Sequence, residues 1–174
     1  GIGDGLFDSA AIRSLKLGYP DAHLVVIAHR RRRSVALHNP FADEVLGFSK
    51  SPVARWRLLR AFRGRRPDLV VALRVNEDAV PVDYLLNRHA FFGGTEACGA
   101  MSFLLSHAVP TFGKIHAVEK TLRIAREAGG DPGAPAAMIY AVSSDEKAAA
   151  ATRFADWIEE PFITWQVGGG RTLK

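Results

Sequence analysis

Asp4 is the first residue of the chain able to move a proton, and it stands in a run of glycines, Gly1-Ile2-Gly3-Asp4-Gly5. Glycines so closely spaced predict a loop whose backbone can approach a ligand closely. The apolar residues beyond it, Leu6, Phe7, Ala10, Ala11 and Leu15, have helical spacing. A loop opening a helix presents free N–H groups at the positive end of the helix dipole, a natural place for an anion. Asp4 would repel a phosphate there, so its carboxylate suits proton transfer better than phosphate cradling. The spacing is also wrong for a dinucleotide site, which needs a third glycine where Leu6 stands. Two readings remain: a chemical role for Asp4, or a tight strand-to-helix turn in which Asp4 is the N-cap.

Cations form the second group of candidates. Residues 30–66 carry eleven Lys and Arg against Asp43 and Glu44 alone, although the net charge of the whole chain is only +5. A local basic field of this kind attracts anionic partners. Arg30, Arg31, Arg32 and Arg33 follow a short β-branched run, and Arg74 follows another. Arg55, Arg57, Arg60 and Arg63 share a predicted helix with Val53, Trp56, Leu58, Leu59 and Phe62, which are expected to supply its buried side. A third group closes the chain, Gly168-Gly169-Gly170-Arg171-Thr172-Leu173-Lys174. The histidines show no metal-ligand spacing, and no metal site is expected. Cys98 is the only cysteine, which excludes an internal disulfide and fits a reducing compartment.

Elements to position these residues are legible in order. His23–His29 and Asp68–Leu73 are apolar on both faces, as buried parallel strands are, and Glu44–Phe48 is a shorter strand. Asn39-Pro40 ends a short helix through Val35–Leu37, and Pro52 opens the basic one. A mixed helix is expected around residues 83–90, then a strand at Phe91-Phe92 ending before Gly93-Gly94. Residues 94–114 give no pattern. His116 starts a helix through Val118, Leu122, Ile124 and Ala125, ended by Gly129-Gly130. Asp131-Pro132-Gly133-Ala134-Pro135 combines helix-stop and linker chemistry. Beyond it come an extended segment at 137–142, a helix at 144–158 and a strand at 162–167. Alternating strands and helices predict an α/β domain with a Rossmann-like parallel sheet. In such sheets ligands lie outside the carboxyl ends of the strands, the address of Arg30–Arg33, of Arg74 and of the last glycine loop.

The order of these segments resembles the family-9 glycosyltransferases, the ADP-heptose:lipopolysaccharide heptosyltransferases of bacteria. The resemblance rests on Gly1–Leu6, Ala11-Ile12-Arg13-Ser14-Leu15, Tyr19-Pro20-Asp21-Ala22 and Asn39-Pro40-Phe41-Ala42-Asp43-Glu44-Val45. It continues through Arg66-Pro67-Asp68-Leu69-Val70-Val71 and His116-Ala117-Val118-Glu119. It implies a GT-B enzyme, with residues 1–134 as the acceptor-binding domain, its first strand lying before Gly1. Residues 135–174 would be the linker and the truncated start of the nucleotide-sugar-binding domain. Asp4 would be the general base of an inverting, metal-independent transfer of heptose from ADP-heptose to a lipopolysaccharide core. Lys174, Thr172, Gly168, Gly169 and Gly170 would hold the donor, and Gly3, Gly5, Arg30, Arg31, Arg32, Arg33 and Arg74 the acceptor.

No cofactor is implied beyond the donor sugar. The partners would be the nucleotide sugar and the anionic core, in the cytoplasm, with peripheral association at the inner face of the inner membrane and no specific nucleic acid. The competing reading is a basic α/β module that binds nucleic acid or another polyanion through residues 30–66. It has little aromatic interleaving for stacking and no recognised nucleic-acid motif. Asp8 reads as a helix residue favoured by the dipole, or as a second carboxylate in the chemistry.

Overall fold

The first helix, α1, runs from Ile2 to Gly18 and therefore takes in Gly3, Asp4 and Gly5. The expected glycine loop is the helix itself. None of these glycines has a positive φ, and residues further along hold the helix in place: Ser9, Ala10, Ala11, Ile12, Ser14 and Leu15 are all buried. Burial of that face outweighs the roughly 1 kcal/mol that each glycine costs a helix interior. The computed structural model describes residues 2–30, 32–74 and 79–155.

After α1 come strand β1 (Val25–His29), helix α2 (Arg33–Leu37), strand β2 (Glu44–Phe48) and helix α3 (Pro52–Ala61). Ser51 caps α3 by accepting from the N–H of Ala54, and Pro52 takes the first position, where a missing N–H costs nothing. Strand β3 is shorter than expected, Val70–Ala72, and helix α4 occupies Val80–Leu86, a few residues before the predicted place. Strand β4 is Phe91–Gly94 and includes the two glycines read as its end. The stretch without a pattern folds into helix α5 (Thr95–Cys98), a 3-10 turn (Gly99–Leu104) and strand β5 (His107–Val109).

Helix α6 (Ala117–Glu127) starts where the sequence indicated, with the His116 side chain accepting from the N–H of Val118. It ends in a Schellman turn. The N–H of Gly130 bonds the carbonyl of Ala125, that of Gly129 bonds Arg126, and Gly129 takes the required positive φ of 90°. The expected extended segment at 137–142 forms no strand. The Ser9 hydroxyl accepts from the N–H of Ile139, and the N–H of Ala141 bonds the carbonyl of His38.

All strand pairs among the described residues are parallel. β1 pairs with β2, and β3, β4 and β5 form a second piece in that order. On one face of β3 and β4, helices α1 and α6 pack together: Ala11, Leu15, Ala125 and Ala128 meet Leu69, Val71, Leu73 and Phe92. The other face is covered by α4, α5 and the 3-10 turn around Phe91, Val80, Cys98 and Leu105. Small residues let α1 and α6 approach. A Cβ on Gly18 would come within 2.3 Å of the carbonyl oxygen of Gly129.

On α3 the expected apolar side is only partly buried. Leu58 is in the core, but Val53 and Trp56 are exposed, with Arg60 stacked over the Trp56 indole at 5.1 Å. The chain divides into two compact units, residues 1–141 and 142–174. The described part of the second contains helix α7 (Ser144–Arg153), within the predicted 144–158, of which residues 156–158 lie outside the described residues. It opens with a reciprocal capping box between Ser143 and Glu146. The strand expected at 162–167 lies outside the described residues.

Candidate active site

Asp4 sits in the first turn of α1, where unpaired N–H groups and the helix dipole favour a negative charge. Asp8 lies one turn further on, so the two carboxylates share a helix face and repel. Arginines from two other segments offset this repulsion. Arg32, at the N-cap of α2 after β1, places Nη2 3.2 Å from Asp4 Oδ2. Arg74, just past β3, places Nε 2.6 Å from Asp8 Oδ1 and Nη1 3.5 Å from Asp4 Oδ1. Both cations thus come from the carboxyl ends of parallel strands, where open α/β sheets bind ligands.

Exposure separates the two carboxylates. The Asp4 side chain keeps 34% of its surface and Asp8 only 16%. Burial raises Asp8 to about 6, against the opposing pull of the Arg74 guanidinium and its hydrogen bond. Arg74 also approaches the carbonyl of Ala117 in the first turn of α6 through Nη2 at 3.5 Å, and lies 5.7 Å above the Phe7 ring. His116 meets the same ring edge-on at 5.5 Å. The result is a reachable carboxylate between two guanidiniums, with a second, more buried carboxylate holding one of them. It can accept a proton from a neutral group while the cations draw in an anionic one.

Of the other candidates, Gly3 and Gly5 flank Asp4 on α1, while Arg30 and Arg33 lie elsewhere. Arg30 lines a cleft of about 470 Å³ with Leu46, Phe48, Val53 and Arg57. Arg33 runs along Gly47 of β2. Gly3 is exposed, and a Cβ added there would have nothing within 4 Å; Gly5 is where α1 meets Val35 and Arg32 of the α2 segment. Arg31, Gly168, Gly169, Gly170, Thr172 and Lys174 lie outside the described residues. Among the described residues no group of three or more His, Cys, Asp or Glu side chains could hold a metal ion. Glu96 pairs with Lys120 at 2.5 Å, and Cys98 is buried, its thiol pushed up to about 11 by burial and by Asp83.

Asp8 is the residue whose role the sequence understated. Its signal was the four-residue spacing from Asp4, which carries meaning only once the glycine run is read as helix.

A Rossmann-like α/β domain in which carboxylates of its first helix meet arginines from the carboxyl ends of its strands is the class that this fold and site define. The sequence matches no protein-family model and no curated protein. A solved structure of the same fold is "the crystal structure of the glycosyl transferase family 9 from Veillonella parvula DSM 2008". It is 16% identical, with a TM-score of 0.74 over 90% of this chain and 47% of that one. The chain spans about half the length of that protein, and at this identity the likeness is one of fold. Among the described residues no helix is long and apolar enough to cross a membrane.

Proposed function

We propose that this chain is the acceptor-binding part of an inverting glycosyltransferase in which Asp4 is the general base. The observation that carries the reading is Asp4 itself, reachable at the start of α1 and flanked by Arg32 and Arg74. Its fold, shared with a glycosyltransferase family 9 structure, supports the reaction class. An acceptor hydroxyl at Asp4 would give up its proton as its oxygen bonds the anomeric carbon. The bond from that carbon to the diphosphate breaks, and the nucleoside diphosphate leaves with the electron pair.

In the same reading the donor is ADP-heptose, the acceptor a lipopolysaccharide core, and no metal takes part. The acceptor lies against Gly3, Gly5 and the arginines Arg30–Arg33 and Arg74. Residues 1–134 serve the acceptor, and residues 135–174 begin the donor-binding half. There Gly168–Gly170, Thr172 and Lys174 meet the diphosphate, whose charge the lysine offsets. The protein works in the cytoplasm beside the inner face of the inner membrane. The motif order from Gly1–Leu6 to His116–Glu119 supports these finer assignments.

The test is transfer, with chelator present, from ADP-heptose to a heptose-deficient core by a protein carrying this chain and a complete donor-binding half. Transfer supports the reading. A folded protein that transfers no sugar from any of a panel of nucleotide sugars contradicts it.

A further inference from the structure

Arg74 touches protein with all of its guanidinium nitrogens. Nε meets Asp8 at 2.6 Å, Nη1 meets Asp4 at 3.5 Å and Nη2 meets the Ala117 carbonyl at 3.5 Å. The shortest of these contacts fixes its Nε, and its central carbon lies 5.7 Å over the Phe7 ring. A guanidinium prefers to grip a carboxylate with two parallel N–H bonds. Here Asp8 takes Nε, half of the Nε–Nη2 edge with which the guanidinium could otherwise grip Asp4, and Asp4 is left with a single contact to Nη1.

The geometry points to Asp8 as a positioning residue for Asp4 that acts through Arg74: the ionised Asp8 occupies the Nε edge of the guanidinium, limits its hold on Asp4, and so leaves Asp4 a competent proton acceptor. This assignment rests on the proposed role of Asp4, but it concerns the charge state of a cluster and can be read without substrate.

The charged and titratable groups facing Asp8 are Arg74 beyond β3, Arg32 at the start of α2 and Asp4 on α1 itself. From α6, His116 packs edge-on against Phe7, the residue before Asp8. Burial lifts the Asp8 carboxyl to about 6. At neutral pH it is ionised and engages Arg74. Once protonated it surrenders much of that hold, and the whole cation turns to Asp4, which becomes the weaker base.

The experiment is a pH titration of the folded chain carrying ¹³C-carboxyl aspartate and ¹⁵N arginine. The Asp4 and Arg74 signals are assigned by their loss in Asp4→Asn and Arg74→Gln. The Asp4 carboxyl carbon should move twice, the upper step coinciding with Asp8 and with a shift of Arg74 Nε–H, and Asp8→Asn should abolish the upper step. An Asp4 signal silent while Asp8 titrates overturns the proposal. So does an undiminished upper step in Arg74→Gln, since the coupling would then bypass the guanidinium. If Asp8→Asn does not fold, the wild-type and Arg74→Gln titrations decide the matter.

In the transferase, Asp8→Asn should lower kcat about tenfold at pH 7.5, with KM nearly unchanged, and remove the acid limb near Asp8's midpoint. A uniform loss that leaves the acid limb in place would mean a merely structural role. Coupled NMR steps in a protein that transfers no sugar would keep the positioning pair and refute the transferase reading.

Discussion

Asp8 and Arg74, sixty-six residues apart in sequence, meet at 2.6 Å, and the pair joins helix α1 to the carboxyl end of β3. The Asp8 carboxyl is raised from 3.8 to about 6 because burial outweighs the arginine beside it. The folded protein therefore binds this proton more tightly than the unfolded chain does. The stability it contributes is full below pH 3.8 and is lost as pH rises through 6. Between about pH 7.5 and 4.5 wild type should gain about 2 kcal/mol relative to Asp8→Asn. Urea unfolding of both proteins at the two pH values checks this, and parallel curves would contradict it.

Gly3 has open space where a side chain would go and a helical backbone. Gly3→Ala should raise stability by roughly 0.5–1 kcal/mol. If an acceptor rests on this turn, as proposed, the same variant should raise the acceptor KM with little change for the donor. Thermal unfolding and acceptor kinetics measure the two effects separately.

Gly18 is the opposite case. A Cβ there meets backbone of Gly129, Gly130 and Asp131, at 2.3, 2.8 and 3.0 Å, with no flexible side chain to yield. Gly18→Ala should cost about 1–3 kcal/mol or more by pushing α1 away from the α6 turn. The Tyr19 hydroxyl, which donates to the Ala128 carbonyl at 2.8 Å, should lose that bond in the same variant. Denaturant midpoints and the Tyr19 ring signals report both.

Cys98 is fully buried with its thiol pushed up to about 11. A thiol-specific reagent at about pH 8 should label it only as fast as the domain opens, because the thiolate is the reacting species. Labelling at the rate of a free thiol would mean that the core around Phe91 and Val80 is open.

The sequence made β1, β2 and α6 legible because each carries its own signal: an unbroken apolar run, a short strand beyond Asn39-Pro40, and a stripe ending in Gly129-Gly130. The first turn of α1 was not legible. Its glycines argue for a loop locally, and only the tertiary burial of Ala10, Ala11 and Ser14 decides for helix. Residues 94–114 fold into elements of three to six residues, too short to show a period. Trp56 and Val53 have the spacing of a buried face, yet no described element covers them fully. Asp4 and Arg74 were singled out as candidates, but their meeting, and the part of Asp8 in it, depends on strand order rather than on local pattern.

The most direct measurement compares sugar transfer by the complete enzyme with transfer by its Asp4→Asn variant, alongside donor affinity for both. The expected result is a loss in kcat of about a hundredfold or more, with donor binding and the amide spectrum unchanged. Near-normal turnover in Asp4→Asn would contradict the role of Asp4 as the base.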